Sequence, residues 1–458
     1  MYLSGIEVRQ REVRKVMKDI LRGMIAKRRA GIMCGIPSYC TANRLAIEAI
    51  LEQAKRFDDH ILIEATANQV NQFGGYTGMR PADFTKFVYE IADTTGFPRE
   101  QIVLGGDHLG PLTWAELAEA EAMANAVRLV KEFVLAGFKK IHLDTSMKLA
   151  DDPADEILSD EVIAERGVVL YEACEEAYQE LLEKNPGESR PVFIIGSEVP
   201  IPGGAQEEED SVAVTKPEAF ERTVRVYEET FARHGIKDAF ENIIGVVVQP
   251  GVEFADADVF QYDHADAREL CEALKRHDGI VFEGHSTDYQ TPESLKQMVE
   301  DGIAILKVGP ALTYGLREGL FALSLMEKEL VPEEKRADFI NTMEKVMLEE
   351  PGNWKKHYHG TDEEKRQARK YSFSDRCRYY MNDERIEASI RKLFWNLDTA
   401  GIPMNMLHQY MPQQYSKVLA GGLKKKASAL AKDCVVTFVE DYNYATKHNY
   451  MISNVFAR

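Results

Sequence analysis

The chain has 458 residues, more than the roughly 250 of one barrel domain, so a barrel plus a smaller part is expected. With 45% hydrophobic and 9% aromatic residues it carries enough apolar material for a large core, which excludes a disordered chain. A net charge of −19 and a pI near 5.2 exclude nucleic acid as a partner, because such a surface repels phosphate backbones.

In residues 1–30 the basic positions between Arg9 and Arg29 are interrupted by Glu12 and Asp19. Val8, Val13, Val16, Met17, Ile20, Leu21 and Met24 recur at helical spacing, which predicts an amphipathic first helix rather than a targeting peptide. Eight short runs rich in Ile, Val and Leu follow, at 31–35, 61–65, 102–106, 140–144, 192–196, 243–248, 280–283 and 303–308. Such runs suit strands buried on both faces. Amphipathic helical segments lie between most of them, clearest at 81–95, 113–136, 159–183, 216–233, 265–276 and 292–300. Thr291-Pro292-Glu293 and Thr215-Lys216-Pro217-Glu218 are helix-start signals. Strict alternation means a parallel sheet, and eight repeats favour closure into a (β/α)8 TIM barrel over 31–330. A doubly wound open sheet is the alternative; no G-x-G-x-x-G follows the first run, which speaks against a dinucleotide site. Beyond Leu330 the strand signal stops. Residues 331–458 predict a helical C-terminal extension packed on the barrel, with helices at 333–350, 384–399 and 423–441 and an exposed loop at 358–370.

Six cysteines lie far apart, with no C-x-x-C pair and no zinc-ribbon spacing. No apolar run reaches the roughly 18 residues that span a bilayer, and no signal-peptide core follows Met1. A soluble, cytoplasmic protein with free thiols and no membrane partner is expected.

In such a barrel the chemistry lies where the strands end. The second run leads into Glu64, Asn68, Gln69, Asn71 and Gln72; the third into Asp107-His108; the fourth carries His142 and Asp144, then Ser146. The fifth leads to Glu198, the sixth to Gln249, the seventh to Glu283, His285, Ser286 and Asp288, and the eighth carries Lys307. One buried polar residue at a strand end is ordinarily hydrogen-bonded scaffold. Seven strands of eight ending so is different, because each such group costs about 1–3 kcal/mol if unpaired. His108 and His285, on odd strands, face each other across the mouth as metal ligands. Glu198 and Gln249 complete a shell for zinc or a similar divalent ion, with manganese, cobalt, nickel and magnesium as the other candidates. Asp107 precedes His108 and points differently, which suits a general acid/base. His142 and Asp144 share one face, as supports for the ligands or as substrate contacts. Lys307 is either a substrate contact or a Schiff-base nucleophile. The glycine-rich segments 72–78 and 202–204 read as phosphate cradles or as mobile loops, and 206–210 as a solvated acidic loop. Ser374, Asp375, Arg376 and Arg378 offer cations for a phosphate, or an ordinary salt-bridged helix. His60, His234, His277, His357, His359 and His448 read as surface residues.

Residues 64–78 (EATANQVNQFGGYTG), 105–111 (GGDHLGP), 197–204 (SEVPIPGG), 248–254 (VQPGVEF), 284–291 (GHSTDYQT) and 306–312 (LKVGPAL) resemble the Z-type subunit of class II D-tagatose-1,6-bisphosphate aldolase. So do 353–358 (NWKKHY), 371–380 (YSFSDRCRYY) and 409–415 (QYMPQQY), so the resemblance runs from about residue 25 to near the end. The chain departs from it at Pro37, where a cysteine is expected, and in a longer N-terminal helix. The resemblance implies either a non-catalytic partner of a Y-type aldolase subunit, or an enzyme that epimerises ketohexoses or their 6-phosphates at C4 between the fructose and tagatose configurations. Catalytic class II aldolases hold zinc through histidines after strands three, six and seven. Here Gln249 stands at the sixth, and Asp107 stands where the aldolase acid/base stands. A divalent metal, a ketohexose or its phosphate, and a homo-oligomer or Y-type partner are therefore expected. Asp107, Glu198 and Asp144 are the candidate catalytic acids. Glu64, Asn68, Gln69, Gln72, His142, Ser146, Glu283, Ser286, Asp288 and Lys307 are the candidate sugar contacts, with Lys355, Ser374 and Arg376 toward a phosphate.

Overall fold

The Ile/Val/Leu runs pair side by side and close on themselves. In the computed structural model, which describes residues 19–199 and 212–455 with side chains to 446, helix α1 (Ile20–Arg29) precedes strand β1 (Ile36–Cys40). There follow α2 (Arg44–Arg56), β2 (Ile61–Thr66), α3 (Pro81–Thr95), β3 (Ile102–Leu109), α4 (Glu119–Leu135), β4 (Lys140–Leu143), α5 (Asp160–Lys184) and β5 (Val192–Ile195). Then come α6 (Pro217–Arg233), β6 (Ile243–Val248), α7 (His264–Leu274), β7 (Val281–Gly284), α8 (Pro292–Asp301), β8 (Ile303–Val308) and α9 (Pro310–Leu330). All eight strands are parallel, and β1 pairs with both β2 and β8, so the sheet is a closed (β/α)8 barrel and not an open doubly wound sheet. A short antiparallel hairpin, Glu253–Phe254 with Val259–Phe260, lies between β6 and α7.

Several expectations need correction. The first strand is 36–40, not 31–35. Ile32 and Met33 remain exposed before it, while Ser38 pairs with Lys307 and Leu62. Residues 358–370 are no exposed loop: Tyr358 is buried, and a capping box at Thr361 and Glu364 starts a helix at Asp362–Tyr371. His234 is exposed, as a surface residue should be, and His277 is half-buried; each meets a glutamate, Glu165 at 2.8 Å and Glu221 at 2.9 Å. The Pro202–Gly204 turn, the acidic run at 206–210, His448 and the helix positions before Asp19 lie outside the described residues.

Helix α1 covers the amino-terminal end of the barrel. Leu21, Met24 and Ile25 join one apolar cluster with the inward residues Ile36, Leu62, Ile194, Val247, Val281 and Ile305. Arg22 ties it down through the Arg190 carbonyl and the Asn242 side chain, both at 3.0 Å. At the other side the long helix α15 (Ala427–Val455) packs against α9, α8 and α2. Gly315 and Gly319 allow this contact, because a Cβ at Gly315 would stand 2.8 Å from the Cys434 carbonyl oxygen. Helices α10 (Phe339–Glu349), α11 (Asp362–Tyr371), α12 (Glu384–Ala400), α13 (Met404–Tyr410) and α14 (Pro412–Leu419) complete the extension. Among the described residues no helix is long and apolar enough to cross a membrane.

Asp441 on α15 is half-buried, and burial, then Glu440 and Glu293, push its carboxyl up to about 6. Unfolded, it titrates near ~3.9. Below that both states hold the proton; as pH rises from about 4 to 6 the unfolded chain releases it first, and stability is lost. Asp441→Asn is expected to match wild type near pH ~4 and to melt roughly 1–2 °C higher above pH ~7, read by thermal unfolding across pH.

Candidate active site

The inside of the barrel is apolar near α1 and ionic near the strand ends. Lys140, the first residue of β4, points inward and is wholly buried; its Nζ lies 2.8 Å from Glu64 Oε1 and 2.6 Å from Glu283 Oε2. Lys307 on β8 bridges the other Glu64 oxygen and Asp107 Oδ2, the latter at 2.9 Å. Gly105 makes room for this network, since a Cβ there would be 2.4 Å from Glu64 Oε1. Burial opposes charge on both lysines. The attraction of Glu283 and Glu64 still raises Lys140, and that of Asp107 and Glu64 raises Lys307 well above its ordinary value. Lys307 is thus a held ammonium, the opposite of the lowered-pKa amine a Schiff-base nucleophile needs.

Three imidazoles stand above this floor. Ring centres are 5.1 Å apart for His108 and His142, 4.9 Å for His108 and His285, and 5.2 Å for His142 and His285. His108 and Asp107 were expected to point apart, yet both reach the cluster. The register of β3 against β4 shifts between Gly106 and Leu109, and His108 takes a left-handed φ of 48°, so a bulge turns consecutive side chains into one site. His108 Nδ1 meets Asp144 Oδ2 at 2.7 Å, and His285 Nε2 meets Glu283 Oε1 at 3.0 Å. His142 Nδ1 lies 2.9 Å from Asp107 Oδ1, and its Nε2 is buried with no hydrogen-bond partner.

One ligand atom each from Asp107, His108, His142 and His285 falls within 4.8 Å of the others, so these four could hold a metal ion. Three features fit one. Imidazole and carboxylate donors suit zinc and its neighbours. Asp144 and Glu283 hold the second nitrogens of two histidines, as partners of metal ligands do. With neutral imidazoles, the four carboxylates Glu64, Asp107, Asp144 and Glu283 against two ammoniums leave two negative charges, the complement of a divalent cation. For Asp107 burial is the largest influence, but Lys307, His108 and the His142 hydrogen bond outweigh it and hold the carboxyl well below its usual range. Burial pushes His285 down to about 4, whereas at His108 Asp107 and Asp144 overcome burial and raise it.

The cluster opens into a cavity at the barrel mouth. Asp107, His108, His285, Ser286, Asp288, Lys307, Asn68 and Gln69 line it. Several expected contacts do not. Gln72 donates to the Asn125 carbonyl, and Ser146 donates to Asp144. Glu198 is exposed and outside the cluster, and Gln249 Oε1 accepts from the backbone of Gly251 and Val252 in its own turn, so neither completes the donor set. Lys355 is exposed; Ser374 is bonded to Asp256, and Arg376 to the Asn353 carbonyl. The extension instead sends Arg378, Tyr379 and Asn382 to the cavity wall. Asp375, in a left-handed turn, anchors that segment on Arg317 at 2.6 Å and Thr313 at 2.7 Å. Tyr76, Asn43, Thr313 and Phe254 also line the cavity; Tyr76, Phe254 and Arg378–Tyr379 sit inside motifs readable in the sequence, while Asn43 and Thr313 carried no signal.

A closed (β/α)8 barrel with a cavity and an acid–histidine cluster at its strand carboxyl ends has its candidate site where the chemistry of this fold lies. The chain belongs to the D-tagatose-1,6-bisphosphate aldolase subunit GatZ/KbaZ-like family, whose model matches residues 21–447. The crystal structure of a probable tagatose 6 phosphate kinase from Sinorhizobium meliloti 1021 is 45% identical, covers 90% of this chain and 100% of its own, and superposes with a TM-score of 0.81. A putative fructose-1,6-biphosphate aldolase from Coccidioides immitis aligns at 18% identity over 81% of this chain and 97% of its own, with a TM-score of 0.39. The fructose-bisphosphate aldolase of Campylobacter jejuni aligns at 14% identity over 84% and 93%, also at 0.39.

Removing Lys140 leaves Glu64 and Glu283 buried without their shared cation. Lys140→Met is expected to cost about 3–5 kcal/mol in denaturant unfolding. An unchanged midpoint and slope would mean the network contributes nothing to the barrel.

Proposed function

We propose that this chain is itself a divalent-metal-dependent enzyme that breaks and re-forms the C3–C4 bond of a ketohexose or its phosphate, exchanging the fructose and tagatose configurations at C4. The observation that carries this reading is the buried Asp107–His108–His142–His285 set at the floor of the cavity, with Asp144 and Glu283 holding two of its rings. The descriptions of the family and of its 45%-identical relative both name tagatose, which supports a ketohexose. Zinc suits the imidazole-rich set best, and manganese, cobalt, nickel and magnesium are the alternatives. A divalent ion held there would supply Lewis-acid polarisation of the C2 carbonyl.

The chain's own groups do the rest. Of the three expected catalytic acids only Asp107 lines the cavity; Asp144 is committed to His108 and Ser146, and Glu198 lies outside. With His108, His142 and His285 holding the ion, Asp107 would be left to accept the C4 hydroxyl proton as the C3–C4 bond breaks and to return it on re-addition. The Lys307 ammonium, 2.9 Å from Asp107, keeps that carboxyl in the ionised, proton-accepting form. Amide side chains of Gln69, Asn68 and Asn382 retain the aldehyde half while it turns its other face. Its release instead would be the aldolase outcome. Six free thiols fit a cytoplasmic setting.

The family description as an aldolase subunit favours a second reading, a non-catalytic partner that stabilises a separate catalytic chain. The purified chain alone, incubated with fructose 6-phosphate, free fructose and tagatose 1,6-bisphosphate, separates these: epimer formation supports the proposal, triose formation an aldolase, and no turnover the stabilising partner. Turnover is expected to vanish on chelation, to return on metal addition, and to fall by about 100-fold or more in His108→Ala. Full activity in that variant would remove the cluster from the reaction.

A further inference from the structure

In (β/α)8 barrels the loops after strands seven and eight and an adjacent helix N-terminus commonly form a phosphate seat, because unpaired backbone N–H groups and the helix dipole both favour an anion there. In this chain α9 begins directly after β8, and its first turn faces the cavity through Gly309, Pro310 and Thr313. The seat is taken. Asp288, from the loop after β7, is only 3% exposed, and its Oδ1 accepts from Gly309 N at 3.0 Å and from Ala311 N at 2.8 Å.

The backbone is distorted to put it there. Ser286 and Tyr289 have φ of 52° and 64°, a left-handed conformation costly for residues with a side chain. Tertiary contacts enforce that path. The Thr287 hydroxyl donates to the Lys307 carbonyl at 2.6 Å, the Tyr289 hydroxyl to the Phe373 carbonyl at 2.6 Å, and the Tyr442 hydroxyl to the Thr287 carbonyl at 2.8 Å. A loop held this way presents Asp288 as a fixed group.

We propose that Asp288 is a built-in anion that fills the phosphate seat of the barrel, so that the site accepts a ketohexose or a ketohexose monophosphate and excludes a bisphosphate. This rests on the ketohexose reading above and narrows its substrate class. Burial pushes the Asp288 carboxyl up to about 6, above the ordinary value but still ionised at neutral pH, so a phosphate arriving there meets both an occupied donor pair and a like charge. The rest of the wall agrees. Among the described residues the lysines and arginines lining the cavity are Lys307, held by Glu64 and Asp107, and Arg378, whose charge already acts on Asp288. That leaves cationic provision for one phosphate at most.

The test is calorimetric binding, with no turnover required. Wild type, Asp288→Ser and Asp288→Asn, each metal-loaded and each checked for native circular dichroism, are titrated with inorganic phosphate, fructose 6-phosphate, fructose 1-phosphate and fructose 1,6-bisphosphate. Wild type should bind the bisphosphate no tighter than the better monophosphate. Asp288→Ser vacates the two N–H groups and should bind inorganic phosphate and the bisphosphate about tenfold tighter than wild type does. Asp288→Asn keeps an oxygen on both N–H groups and removes only the like charge, so its gain should be clearly smaller than that of Asp288→Ser. A wild type that prefers the bisphosphate tenfold, or a folded Asp288→Ser without the gain, overturns the proposal; so does an equal gain in Asp288→Asn, which would assign the effect to charge and not to occupancy. Should Asp288→Ser not fold, the wild-type preference and the Asn variant decide. A chain with the expected binding pattern and no turnover would defeat the catalytic reading alone.

Discussion

Everything at the mouth of this barrel depends on five ionised side chains buried together beneath it. Lys140 and Lys307 are shared among Glu64, Glu283 and Asp107 at ion-pair distances, in a space that strands normally fill with branched apolar residues. Taking any one of these charges out of water costs several kcal/mol, so each is tolerable only with its partners in place. The network is therefore a weak source of stability and a strong source of geometry. It fixes where Glu283 and Asp107 stand, and those two carboxylates in turn orient His285 and His142.

Two further devices convert that floor into a site. A bulge at the end of β3 puts Asp107 and His108 on the same side of the chain, which an unbroken strand would forbid. The C-terminal extension then closes one wall. Its buried Asp375–Arg317 pair pins the 3-10 turn that carries Arg378 and Tyr379 against Tyr76 of the barrel, with ring centres 4.7 Å apart. Neither the barrel nor the extension forms this cavity alone.

The fold was largely legible because βα alternation is a property of sequence pattern. Seven of the strands lie where runs of Ile, Val and Leu place them. The first was misplaced because Pro37 and Ser38 make β1 look unlike a buried strand, whereas the Ile32–Met33 pair outside the sheet looks like one. The helix after 361 was hidden by its polarity, since little of it besides Arg369 is buried. Within the site, His108 and His285 were readable from their position after strands three and seven. His142 joins them as a donor from the inward face of β4 that it shares with Lys140, and Asp107 joins through a bulge that no local signal announces. Glu198 and Gln249 show the reverse limit: both follow strands, but the direction of a side chain after the last paired residue is set by the turn, and the Gln249 side chain folds back onto that turn. Arg378 reaches the cavity while Arg376 does not, a choice made by the left-handed turn at Asp375.

The central claim is that the buried charges shape this chain's own acid–histidine cluster to hold a metal ion. X-ray absorption on the purified, cobalt-loaded protein tests it most directly. The account predicts one ion per chain with the multiple-scattering signature of about three imidazoles and a first shell near ~2.0–2.1 Å. A shell of oxygen scatterers without imidazole, or an ion removed by simple dialysis, would contradict it.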